Sequence, residues 1–172
     1  QVSFNYNNGN DDWWWAVDNV GVVKPLGELQ GSPQATVDVL SDVQGDPQDY
    51  KDAVRQLNGM EDKAGALVLN GDLVDDGSQQ QWDDFLAAHS EVPHDSGKEL
   101  WTIGNHEMYG KEGSKTYLDR FLKYSGQDKP WKEEVVDGVP LISVNTEFYS
   151  DILRHGKEPF QRLSKEQLDW LD

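Results

Sequence analysis

The chain has 172 residues, enough for one domain with a substantial core, and it carries 15 lysines and arginines against 32 aspartates and glutamates, a formal net charge of -17. So acidic a composition argues against a broad electrostatic grip on duplex nucleic acid or on an anionic membrane. The absence of cysteine excludes disulfide scaffolds, thiolate zinc sites and cysteine nucleophiles, and no apolar run approaches the roughly 20 residues needed to cross a bilayer.

Residues 1–33 are interpreted as an N-terminal extension. A polar start is followed by Trp13, Trp14 and Trp15, which lead into a strand-like stretch. Two interpretations of the tryptophan run stay open: side chains that pack a strand onto a core, which is the commoner case, or a platform that stacks on carbohydrate. The uncharged, Asn-rich start suits a protein whose signal peptide has been removed, so a secreted or cell-surface location is slightly favoured over a cytoplasmic one.

From Ala35 onward, strand-like and helical segments alternate, which predicts an α/β fold with a layered β-sheet core flanked by helices. The predicted strands cover residues 35–41, 66–69, 100–103 and 139–144. Helical spacing of apolar residues follows each of them. The expected helix signals are Asp46 with Pro47, Ser78 with Gln81, Gly126 after residues 114–124, and Ser164 with Gln167.

Polar side chains follow the first three predicted strands. Asp42 comes after the first, Asp72 after the second, and Asn105 and His106 after the third. Side chains at the carboxyl ends of strands in an open α/β sheet can converge on one point. Carboxylate and amide oxygens with imidazole nitrogens suit divalent manganese, iron or zinc. The pattern therefore predicts a metal site at this edge of the sheet.

The motifs in residues 41–46 (Ser-Asp-Val-Gln-Gly-Asp), 71–75 (Gly-Asp-Leu-Val-Asp) and 104–107 (Gly-Asn-His-Glu) together resemble the calcineurin-like metallophosphoesterase family. The resemblance implies an αββα fold, of which residues 34–172 would be the N-terminal portion. It also implies two divalent metal ions, manganese, iron or zinc, and the hydrolysis of a small phosphate ester by metal-activated hydroxide.

Roles for single residues follow from the same resemblance. Asp42 would bind the first metal, Asp72 would bridge both, and the side-chain oxygen of Asn105 would bind the second. His106 would be no ligand but would contact a phosphate oxygen and protonate the departing alcohol. Asp75 falls where the family places the carboxylate that orients this histidine, and an imidazolium beside a carboxylate is a better-held general acid on chemical grounds alone.

Two departures from the family pattern affect the expected chemistry. Gln44 stands where the family usually has a histidine, so the first metal would gain an amide oxygen or a water in place of an imidazole. Asp76 stands where the protein Ser/Thr phosphatases of the family place an arginine that grips phosphate. An acid there would repel a dianionic monoester, which disfavours a protein phosphatase and favours a phosphodiester or a larger, less charged phosphate ester as the substrate.

Alternatives from other classes are a non-catalytic metal-binding module on the same scaffold and a carbohydrate-interaction module that uses the tryptophan run. His89, His94 and His155 are interpreted as non-ligands. The family's later histidine motifs are not found in the sequence, so we expect an incomplete sheet at the C-terminus, under-coordinated ions and weak activity. Substrate, metal identity and oligomeric state stay open.

Overall fold

The computed structural model of the chain describes residues 35–146 and 163–172. The predicted N-terminal extension, residues 1–33 with its tryptophan run, lies outside the described residues, as does His155. The location predicted from the Asn-rich start stays a prediction. Within the described ranges, no helix combines the length and the apolar character that crossing a membrane requires.

The centre of the fold is a parallel sheet of three strands, β1 (Val37–Leu40), β2 (Ala66–Asn70) and β3 (Glu99–Thr102), in the spatial order β1-β2-β3. Its register places Val39 opposite Val68, and Val68 opposite Leu100. The central strand β2 buries most of its side chains, as its continuous apolar run indicates. The α/β class predicted from the sequence is confirmed.

Helix α1 (Pro47–Asn58) connects β1 to β2, and helix α2 (Gln79–Glu91) connects β2 to β3. Such crossovers between neighbouring parallel strands are almost always right-handed, so successive ones place both helices on the same face of the sheet. The two helices contact each other. The buried side chains that strands and helices share include Tyr50, Val54, Leu67, Leu69, Trp82, Phe85, Trp101 and Phe121.

The predicted helix ends are largely confirmed. Asp46 caps α1, its Oδ1 accepting from the Gln48 N–H at 2.8 Å, and Gly126 ends α3 (Ser114–Ser125) in the left-handed conformation at φ 67°. The capping box predicted at Ser78 is wrong, because its side chain makes no cap bond. Asp76 instead accepts from the Ser78 N–H at 2.9 Å.

Strand β4 (Lys132–Val136) was missed by the sequence interpretation. It forms an antiparallel hairpin with β5 (Val139–Ser143), so the predicted fourth strand belongs to a second, two-stranded sheet. Asp137 and Gly138, at φ 51° and 81°, make the turn. An Asp-Gly pair between two strand-like runs is a strong hairpin signal, so the information was present in the sequence.

The last helix, α4 (Lys165–Leu171), begins at the predicted cap, where the Ser164 Oγ accepts from the Gln167 N–H at 3.1 Å. Gln167 is fully buried, and its side chain does not complete the capping box. Its amide instead accepts from the main-chain N–H of Asn145 at 2.7 Å and donates to the carbonyl of Asn145 at 2.8 Å. These two bonds attach α4 to the segment that follows β5.

Candidate metal centre and active site

The loops that follow β1, β2 and β3 meet at Asp72, as the strand-end pattern predicts. The Asp42 N–H donates to the carbonyl of Gly71 at 3.2 Å, and the Gln44 N–H donates to the carbonyl of Asp72 at 3.3 Å. From the third loop, the His106 N–H donates to the Asp72 Oδ1 at 3.0 Å. Hydrogen bonds thus connect all three motifs.

Asp42 and Asp72 both adopt a left-handed backbone conformation, at φ 54° and 52°. This conformation costs a residue with a side chain roughly 1–2 kcal/mol, and such strain is concentrated at functional sites. Burial raises the pKa of Asp72, and the negative charge of Asp42 raises it further, against the hydrogen bond and the charge of His106. Two carboxylates close enough to repel each other form an environment that favours a cation.

Because Gly104 has no side chain, the Asp72 carboxylate can lie directly against its main chain. A Cβ atom at position 104 would lie 2.2 Å from the Asp72 Oδ1, far closer than any non-bonded contact allows. Gly71 is as constrained, since a Cβ there would meet the main-chain nitrogen of Gly104 at 2.9 Å. The two glycines of the motifs therefore permit the close approach of the second and third loops.

Glu107 is a residue of the site to which the sequence interpretation gave no role. Its carboxylate is fully buried and accepts from the main-chain N–H groups of Asp72, Leu73 and Gly104 at 3.0, 2.6 and 2.6 Å. It thereby joins the second loop to the third beneath Asp72. Burial, which outweighs these hydrogen bonds, raises the pKa of Glu107 to about 7.

We expect this carboxyl group to make the stability of the metal-free protein depend on pH. With its native pKa at about 7 and an ordinary value of 4.5, Glu107 keeps its proton in the native state where the unfolded chain has lost it. The free energy of unfolding should therefore fall as the pH rises from about 4.5 to about 7, by up to about 3 kcal/mol. Urea unfolding in the presence of a chelator at several pH values measures it.

The matched variant is Glu107→Gln, which does not titrate and should flatten this part of the stability profile. At pH 8 it should also be less stable than the wild type, because an amide nitrogen would face main-chain N–H groups that now donate to a carboxylate. An unchanged slope in Glu107→Gln would show that another group is responsible.

His106 is oriented by the residue that the sequence indicated, but through a different atom. Its Nδ1 lies 2.8 Å from the main-chain oxygen of Asp75. A carbonyl oxygen only accepts, so Nδ1 carries the proton of this bond, and Nε2 is the ring nitrogen left for contact with a ligand. The orienting role predicted for the Asp75 carboxylate itself stays a prediction.

Asn105 has one end of its side-chain amide hydrogen-bonded within its own loop. Its Nδ2 donates to the hydroxyl of Tyr109 at 2.7 Å, and this leaves the side-chain oxygen as the end that can bind a cation. The ring of Tyr109 also contacts the ring of His106, with centroids 4.8 Å apart. Tyr109 was not identified from the sequence, since a single aromatic residue after a motif carries no signal of its own.

Gln44 provides the test of whether this site suits a metal. Its Oε1 is buried and has no hydrogen-bond partner, although a buried acceptor without a donor is costly. The side chain lines a cavity of about 110 Å³ together with Asp75, Leu73 and Tyr50. A water or a cation would satisfy this oxygen, but Asp42, Asp72 and Asn105 do not line this cavity. The fit to a metal rests instead on the chemistry of the donor set, since carboxylate and amide oxygens are donors that divalent ions accept.

Two other histidines, His89 and His94, make hydrogen bonds within the folded domain. His89 lies 2.7 Å from the hydroxyl of Tyr50 and 3.3 Å from the carboxylate of Glu99. His94 is buried, with Nε2 2.9 Å from the Asp38 carboxylate and Nδ1 bonded to a serine hydroxyl. Both rings have their nitrogens engaged, in agreement with their interpretation as non-ligands.

The fold and these strand ends together define an α/β protein with an acidic, oxygen-rich site at the carboxyl edge of a parallel sheet. The family model of the calcineurin-like phosphoesterases matches residues 35–172, and the chain belongs to this family. Family membership makes it a hydrolase of phosphate esters of the kind that uses divalent metal ions. No protein with a curated description matches the chain.

Proposed function

We propose that the protein hydrolyses a phosphodiester with two divalent ions held by Asp42, Gln44, Asp72 and Asn105, and with His106 as the proton donor. The observation that carries the proposal is the position of Asp72. Its carbonyl oxygen accepts from the first motif and its carboxylate accepts from the third, which supports its proposed role as the ligand shared by two ions.

The proposed ligands supply two carboxylates and two amide oxygens. Across the described part of the chain, no three or more histidine, aspartate or glutamate side chains are grouped to hold an ion. An all-oxygen donor set suits manganese better than zinc, which prefers nitrogen and sulfur. Bound ions of this kind supply neutralisation of the phosphoryl charge and activation of water as the nucleophile.

His106 supports the proposal through its tautomer. The bond from Nδ1 to the Asp75 carbonyl holds the ring and leaves Nε2 to donate a proton to the departing oxygen. The hydrogen bond from its N–H to Asp72 fixes the histidine main chain beside the proposed bridging ligand. A positioned donor beside the reacting phosphate is the arrangement that general acid catalysis requires.

Asp76 supports the choice of a diester. The hydroxyl and the N–H of Ser78 lower its pKa, so it is negatively charged at neutral pH. The charge of Arg120 also lowers the pKa of Asp76. The Arg120 guanidinium is itself hydrogen-bonded to both carboxylate oxygens of Glu112, at 2.9 and 3.3 Å, and to the carbonyl of Gly77. A singly charged diester meets less repulsion from Asp76 than a doubly charged monoester.

The test compares two substrates with the same leaving group, bis(4-nitrophenyl) phosphate and 4-nitrophenyl phosphate, in the presence of manganese. We expect the wild type to have the higher kcat/KM on the diester. In Asp76→Asn, activity on the monoester should rise about fivefold relative to the diester, since roughly 1 kcal/mol of repulsion between the carboxylate and the second phosphate charge is removed.

An unchanged ratio in Asp76→Asn would contradict the reason given for the diester preference. Binding of manganese without turnover of either substrate would favour the non-catalytic metal-binding alternative.

A further inference from the structure

We propose that Tyr109 is a positioning residue of the metal centre, which holds the amide of Asn105 in the orientation that a cation requires. The inference rests on the proposed function, because it takes Asn105 as a ligand. What it adds is a role for a residue outside the predicted motifs.

The contact between the two side chains is direct. The Asn105 Nδ2 donates to the Tyr109 hydroxyl oxygen at 2.7 Å. When a cation takes the amide oxygen, the amide nitrogen at the other end still needs an acceptor. The hydroxyl supplies it, and this is the kind of outer contact that orients metal ligands in proteins.

Tyr109 is itself held from two sides. Its N–H donates to the carbonyl of His106 at 3.1 Å, and its carbonyl accepts from the N–H of Gly77 at 2.9 Å. The main chain of Tyr109 is thus attached to both the second and the third loop. These bonds fix the backbone, while the half-exposed ring is held by its contacts with Asn105 and His106, which must offset the entropy lost in ordering the side chain.

The ring makes a second contact that a test must separate from the first. It lies against the imidazole of His106, with centroids 4.8 Å apart and planes inclined by 47°. Tyr109→Phe removes the hydroxyl and keeps this ring contact. The role of the hydroxyl can therefore be measured while the surroundings of His106 stay intact.

A matched control exists elsewhere in the chain. The hydroxyl of Tyr124 accepts from the side-chain amide nitrogen of Gln79 at 2.5 Å, and its ring packs against Trp82. Tyr124→Phe therefore removes the same kind of hydrogen bond at a place to which no metal role is assigned. Any general effect of losing a tyrosine hydroxyl appears in both variants.

The experiment titrates manganese into chelator-treated protein by calorimetry. Tyr109→Phe should bind one ion about tenfold more weakly, the usual effect of losing an outer contact to a ligand, and Tyr124→Phe should bind like the wild type. Hydrolysis by Tyr109→Phe should return to the wild-type rate at saturating manganese, because only the affinity is changed. Equal affinity in Tyr109→Phe and the wild type would overturn the proposal.

A second measurement keeps this inference distinct from the proposed function. In the metal-free protein, the side-chain amide resonances of Asn105 should shift in Tyr109→Phe and not in Tyr124→Phe. A wild type that takes up no manganese would refute the proposed function, whereas unshifted Asn105 resonances would refute the positioning role alone.

Discussion

Replacing Asp72 with alanine should abolish both metal uptake and hydrolysis. Asp72 is the residue at which the three loops meet, its main-chain oxygen accepting from the Gln44 N–H and its carboxylate from the His106 N–H. Removing it takes away the proposed shared ligand of both ions and half of the negative charge that the Asp42 and Asp72 pair provides. Elemental analysis of the purified variant and calorimetric titration with manganese measure the result.

Alanine also disfavours the left-handed backbone at this position, so a gentler variant is needed beside it. Asp72→Asn keeps the shape, tolerates φ 52° and should still weaken manganese binding at least about a hundredfold, since an amide carries no charge. The matched control is Asp137→Asn, at φ 51° in the hairpin turn, which should bind metal normally. If Asp72→Ala retains full metal stoichiometry, the bridging role is wrong.

Replacing His106 with alanine should leave the metals bound while turnover falls by about 10²–10⁴, the usual contribution of a positioned proton donor. Its Nδ1 is taken by the Asp75 carbonyl, so the ring contributes to chemistry through Nε2. The loss should be smaller for substrates with good leaving groups, because these need little protonation. Steady-state kinetics over a series of aryl diesters of different leaving-group acidity measures the dependence.

The control for this experiment is His106→Asn, whose amide nitrogen can keep a bond to the Asp75 carbonyl but supplies no titrating proton. It should match the alanine variant in rate and exceed it in stability. Loss of metal from either variant would reassign His106 as a ligand, and an equal loss of rate for every leaving group would remove it from proton transfer.

Much of the fold could be predicted from the sequence because its signals are local. The apolar run of residues 66–69 followed by Gly71 and Asp72 identifies a buried strand and its end. The cap at Asp46 and the left-handed Gly126 likewise depend on a few neighbouring residues. Strand β4 was missed because its three consecutive charged residues, 132–134, resemble an exposed loop, although the Asp137-Gly138 pair that follows signals the hairpin.

The sequence by itself determined the α/β class, the strand ends and the identity of the acidic and amide residues gathered there. Only the tertiary structure decided how those residues are held. The buried Glu107 carboxylate accepts from the Asp72 N–H, the Asp75 carbonyl accepts from the His106 ring, and the Tyr109 hydroxyl accepts from the Asn105 amide. The order of residues in a motif determines which side chains follow the end of a given strand. Contacts between loops up to 35 residues apart depend on burial and on which main-chain groups stay unpaired, and these exist only once the sheet has formed.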